Sequence, residues 1–144
     1  MIRTFIITTI AAATLATAAA PAMANGISIS QYGYGNAVGG GQTGWNNFFA
    51  GYQNGAWNEA VSSQNGGNNV SAIGQDGYDN YGDISQQGWN NQAGVGQFGT
   101  NHTSVITQDG NGNVAAGVQV GNGCNANVVQ HGSNNVSAFV QACP

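Results

Sequence analysis

The sequence predicts an all-β fold: a β-solenoid of stacked strand–turn–strand coils, with two eleven-residue units in each 22-residue coil and about five coils. Three observations predict it. Glutamine recurs every eleven residues, at Gln31, Gln42, Gln53, Gln64, Gln75, Gln86, Gln97, Gln108, Gln119, Gln130 and Gln141. Two residues after each of the first ten stands a glycine: Gly33, Gly44, Gly55, Gly66, Gly77, Gly88, Gly99, Gly110, Gly121 and Gly132. Five residues after the glutamine comes asparagine, at Asn36, Asn47, Asn58, Asn69, Asn80, Asn91, Asn113 and Asn135, with His102 and Cys124 in the two exceptional units. Only Gln87 and Gln92 fall outside the register.

The chain opens with an export signal. Arg3 begins it, an apolar stretch rich in Ile, Ala and Thr follows, and Ala22-Met23-Ala24 is a small-x-small cleavage motif. Residues 1–24 are read as the signal peptide, leaving a mature chain over 25–144 with no membrane span. Residues 25–44 form a glycine-rich start.

Each unit reads as a short strand and a tight turn. The five residues ending at the glutamine alternate, as in Ser71-Ala72-Ile73-Gly74-Gln75. A period of two puts Asn69, Ser71, Ile73 and Gln75 on one face and variable residues, including Glu59, Asp83 and Asp109, on the other. The Gly-x-x-Asn segment supplies turn chemistry. An eleven-residue period also suits a right-handed helical supercoil. The glycines oppose that, since each costs a helix about 1 kcal/mol relative to alanine. Stacked coils spaced about 4.8 Å apart make a rod near 24 Å long.

In such a stack glutamine lies over glutamine and asparagine over asparagine. Each inward amide is then expected to bond the identical amide one rung up, in an Asn/Gln ladder. An unmet inward amide would cost about 1–3 kcal/mol, and a one-residue slip would bury the wrong face. The position two before each glutamine runs Gly40, Gly51, Ser62, Ile73, Ile84, Val95, Ile106, Gly117, Val128, Phe139. The first three bury almost nothing there. Residues 69–141 are therefore expected to pack better, to nucleate assembly, and as peptides to bind thioflavin sooner than residues 31–62.

Composition narrows the function. Formal charge is −4, and removal of Arg3, the one basic residue, leaves the mature chain without Lys or Arg. Nucleic acid is excluded as a partner, because displacing phosphate counterions needs basic side chains. A basic membrane-surface anchor is excluded likewise. No nucleophile–base pair or phosphate loop is present, so the chain reads as a non-enzyme without cofactor. His102 and His131 show no zinc spacing. Asp76, Asp79 and Asp83 lack the calcium nonapeptide and read as outward charges that slow aggregation. Trp45, Trp57, Trp89, Tyr34, Tyr78 and Tyr52 read as lateral packing between rungs. Cys124 and Cys143 lie 19 residues apart, three short of a coil, on neighbouring rungs. Export permits a disulfide between them, and two free thiols remain equally compatible with the spacing.

The pattern Gln-x-Gly-x-x-Asn-x-small-x-apolar-x-Gln resembles the curlin repeat of bacterial curli fibre subunits, over nearly all of 31–141. The resemblance implies secretion through an outer-membrane pore, periplasmic chaperones, a nucleator subunit, and a homopolymeric amyloid fibre at the cell surface serving biofilm and adhesion. Beside the family's longer Gly/Asn-rich leader, the stretch before Gln31 is very short. The glycine-rich start is expected to double as the pore-recognition segment, so that deleting 25–41 strands the protein in the periplasm. The last repeat is not basic, which favours the major over the nucleator role. The pattern reaches close to both ends of the mature chain without a capping helix, and open strand edges invite another copy. The alternative is a monomeric binding module for glycan or ice. Its outward face would be regular, whereas Phe48, Glu59, Val70, Tyr81, Gln92 and Thr103 are not.

Overall fold

The computed structural model describes residues 25–144, and the export signal expected over 1–24 lies outside the described residues. Eleven strands follow one another: β1 (Gly26–Tyr34), β2 (Ala37–Trp45), β3 (Phe48–Ala56), β4 (Glu59–Gly67), β5 (Val70–Tyr78), β6 (Tyr81–Trp89), β7 (Gln92–Thr100), β8 (Thr103–Asn111), β9 (Val114–Asn122), β10 (Asn125–Ser133) and β11 (Val136–Cys143). They form two parallel sheets. The odd strands make one, in the order β1-β3-β5-β7-β9-β11, and the even strands the other, from β2 to β10. We call them the odd and even sheets. Gln31 pairs with Gln53, Gln53 with Gln75 and Gln64 with Gln86, so each coil is 22 residues and unit n lies on unit n+2. The fold is the β-solenoid that the sequence predicts.

The structure redraws the strand boundaries. The strands do not stop at the glutamine but continue through the glycine and one residue more, nine residues in most units. Only two residues are left for each corner. The first of these adopts the left-handed conformation: Asn46, Asn68, Asp79, Asn90, Asn101 and Asn134 have φ of 55–58°, and Gly35, Gly112 and Gly123 stand at the same corner. The left-handed residue is thus the one before the ladder asparagine, not the ladder asparagine itself. Asn and Gly are the residues that tolerate this conformation at least cost. Trp57 holds it too, with φ of 60°.

The glycine two after each glutamine has a stronger reason than turn propensity. A Cβ built on Gly77 would sit 1.9 Å from the Gly99 carbonyl oxygen one rung up, and one on Gly44 would sit 1.9 Å from the Gly66 oxygen. The same approach repeats from Gly33 to Gly121. Any side chain there collides with backbone of the next rung, which cannot yield without breaking the sheet.

Between the sheets lies a narrow interior. Its apolar part is Phe49, Ala60, Ile73, Ile84, Ala93, Val95, Ile106 and Ala115, with Val38, Val128 and Phe139 packed against it. Each large side chain so buried contributes about 1.5–3 kcal/mol. The remainder is polar: Gln53 to Gln119 along the glutamine row and Asn47 to Asn113 along the asparagine row are at most 1 % exposed. Ser62 and Ser71 share a hydrogen bond of 2.6 Å between their hydroxyls. Among the described residues, Ser104 Oγ is the one buried side-chain polar atom without a partner. So polar an interior is stable only because nearly every amide in it is satisfied.

Gly40, Gly51 and Ser62 do leave their row without apolar bulk, but the early coils are not all loose. Phe49, one row over, is buried to 2 % and fills the space. The looseness is confined to the first coil, where Ile27 and Ile29 are 58 % and 47 % exposed beside a cavity of about 200 Å³ that Val38 and Phe49 also line. Gly117 is likewise filled from elsewhere, by the Phe139 ring of the next rung, whose Cζ lies 1.9 Å from where a Gly117 Cβ would be.

Candidate self-assembly ladder

The glutamine row is a continuous side-chain ladder. From Gln31 to Gln119 each Nε2 donates to the Oε1 of the glutamine 22 residues on, at 2.7–2.9 Å. From Gln42 onward the amide nitrogen donates again, at 2.8–3.1 Å, to the first carbonyl of the preceding strand, as Gln86 does to Val70. One amide thus joins its own sheet along the axis and the opposite sheet across the interior. Every ladder bond points the same way, from N-terminal donor to C-terminal acceptor.

The asparagine row works differently from the expected amide-on-amide stack. Each Oδ1 accepts the backbone N–H of the residue 22 on, at 3.0–3.2 Å, as Asn69 does from Asn91. Each Nδ2 donates at 2.8–3.3 Å to the glycine carbonyl 19 residues on, as Asn69 does to Gly88. Side-chain amides bond one another directly only between Asn36 and Asn58, Asn58 and Asn80, and Asn113 and Asn135. The physical reason is reach. An asparagine side chain is one methylene shorter than glutamine, and at a corner the unpaired backbone groups are nearer than the next amide. The row therefore satisfies the corner backbone, which would otherwise hold orphan donors.

Two further members belong to this row. Asn25 accepts the Asn47 N–H at 3.0 Å. The spacing alone reveals it, since 25 is eleven before 36, but no glutamine stands at position 20 to mark the unit. His102 takes an asparagine's place, buried to 1 %. Its Nδ1 accepts the Cys124 N–H at 3.1 Å, and Nε2 lies 3.2 Å from the Phe98 carbonyl. That pair of partners requires the proton on Nε2. His131 is exposed, 3.6 Å from Asp109.

Cys124 and Cys143 are joined by a disulfide, with Cα atoms 5.6 Å apart. Their separation of 19 is the separation of every Asn Nδ2 and its glycine carbonyl. At this one rung both partners are replaced together, and a covalent bond stands where a hydrogen bond does elsewhere.

The aromatic side chains pair along the axis: Tyr32 with Tyr52 at 6.0 Å, Tyr34 edge-on to Trp57 at 6.1 Å, and Trp45 edge-on to Trp89 at 5.1 Å. The last pair spans two coils and meets over Gly67, where a Cβ would lie 2.5 Å from Trp89. Asp79 occupies a left-handed corner, and Asp76 accepts a hydrogen bond from Asn54 at 3.2 Å. Burial pushes the half-buried Asp83 carboxyl above the usual carboxylate range. Burial first, then Asp83 and Glu59, raise the Tyr81 hydroxyl. No helix among the described residues is long and apolar enough to cross a membrane.

The model of the curlin associated repeat matches residues 77–110. No curated protein matches the chain. The matched stretch carries Gln86, Gln97 and Gln108, the glycines that follow them, and a ladder in the same register as the rungs on either side. Residues 77–110 are thus similar to the curlin associated repeat, and the same spacing of glutamine and glycine runs from 31 to 141.

Proposed function

We propose that this chain is a structural subunit of extracellular curli-type amyloid fibres, polymerising end to end by cross-β stacking, for biofilm matrix and surface adhesion. One observation carries the reading: the glutamine ladder has a single sense. It presents acceptor oxygens on Gln31 and Gln42 at one end of the described stack and donor amides on Gln130 and Gln141 at the other. Parallel strand edges with complementary ladder groups invite head-to-tail addition, which does not close on itself and so builds a filament. The family is one of fibre subunits rather than enzymes, and the polar interior offers no catalytic set. A nucleator subunit, an outer-membrane pore and periplasmic chaperones are the partners this role requires. The role of major subunit is favoured over nucleator by the absence of basic residues in the last repeat.

The test is incubation of purified residues 25–144. The expected result is SDS-resistant fibres that bind thioflavin and diffract at 4.7–4.8 Å along the axis. A monomer that persists for days would overturn the proposal and favour a solenoid binding module.

A further inference from the structure

The two sheets present unlike outer faces. The even sheet is polar: Glu59, Asp83 and Asp109 stand on it among Asn, Ser and Thr, and its large exposed apolar residues are Trp45, Trp89 and Val129. The odd sheet holds one charge, Asp76, already engaged by Asn54. It carries most of the large exposed apolar side chains of the described residues, among them Phe48, Tyr52, Phe98, Val118, Val120 and Val140. Its middle is low, with Ala72, Gly74, Gly94 and Gly96 outermost. A shallow depression of about 290 Å³ lies beside Tyr52, between Ala50 and Gly74.

Six strands at about 4.8 Å, each about 30 Å long, give this face an area of roughly 850 Å². One partner in a standard stable interface contributes about 800 Å².

We propose that the odd face seats a second copy of this chain, two solenoids lying side by side with odd sheet on odd sheet. Area alone would allow other occupants, and two observations select this one. The face lacks the Lys and Arg that draw a chain to anionic lipid headgroups, and with one engaged carboxylate it offers little to a charged protein partner. The row Ser28, Ala50, Ala72, Gly94, Ala116 and Ala138 is small at every rung, a furrow running the length of the face at the rung spacing, and an array with the same spacing matches it throughout, as paired sheets do in a dry zipper. This lateral contact is separate from end-to-end stacking and uses different atoms.

The experiment compares Ala72→Lys and Val118→Lys, on the odd face, with Val61→Lys and Val105→Lys, on the even face. Far-UV circular dichroism confirms equal strand content in all four. Mass per unit length of fibres is measured by scanning transmission microscopy. Wild-type fibres and even-face variants are expected at two or more times the value of one solenoid, and the odd-face variants at the single value. Wild-type fibres of single mass, or equal loss in both sets, overturn the proposal. Absence of fibres removes the end-to-end reading instead. Sedimentation of the soluble chain then decides, a dimer lost only in the odd-face variants sustaining the lateral pair and a monomer overturning it.

Discussion

The first coils and the central coils fill the same cross-section in opposite ways. In β5 to β8 the bulk stands two residues before the glutamine, in Ile73, Ile84, Val95 and Ile106, and the row four before it is small: Ser71, Gly82, Ala93 and Ser104. In β2 and β3 the rows exchange roles. Val38 and Phe49 are large, and Gly40 and Gly51 make room, a Gly51 Cβ falling 3.1 Å from Val38. The lesson is that the solenoid conserves interior volume per coil and leaves free which row supplies it. The glutamine row and the glycine two residues after each glutamine do not vary between the two regions.

The largest expected effect tests that invariance. Gly44→Ala in the first coils and Gly88→Ala in the centre place a Cβ 1.9 and 2.0 Å from a carbonyl. Each is expected to destabilise by about 4 kcal/mol or more, read from the guanidinium midpoint. A mild effect at Gly44 alone would show that the early corners are soft. Next, Phe49→Ala and Ile84→Ala should each cost about 3 kcal/mol, since both remove a buried anchor. A cost below about 1 kcal/mol at Phe49 would restore the view of an unpacked start. Gln86→Ala should follow at about 2 kcal/mol, leaving the Val70 carbonyl and two ladder neighbours unmet, whereas the part-exposed Gln42→Ala should cost about 1 kcal/mol. Asp83 gives the smallest effect. Its folded pKa lies above its unfolded one, so the folded state holds its proton to higher pH. Stability should therefore fall as pH rises from the ordinary aspartate range through the raised value, and Asp83→Asn should flatten that slope in a pH series of denaturation midpoints.

The period, the parallel pairing and the inward face of each unit were legible in the sequence because a strict repeat leaves one register in which like residues meet. Three features were not. Phe49 stands in a row that reads as small, and only the neighbouring glycines of another strand show why it fits. The asparagine row reads as amide-on-amide, yet its bonds go to backbone, which depends on corner geometry that no spacing reports. The glycines read as turn formers, whereas what they prevent is a collision with a residue 22 positions away. Each of these is a contact between units, and the one-dimensional pattern states only what repeats within a unit.

The Cys143 position has one more consequence. Every other rung has glycine there because the carbonyl of the following rung comes within about 2 Å of a Cβ site. Cys143 carries a real Cβ, tied by sulfur to Cys124. A copy added above β11 therefore cannot reproduce the internal corner at that point and must seat itself slightly apart. A fibre of such copies is mechanically a string of stiff links with one compliant joint per chain. Under shear it should snap at those joints, giving fragments whose lengths are whole multiples of one subunit.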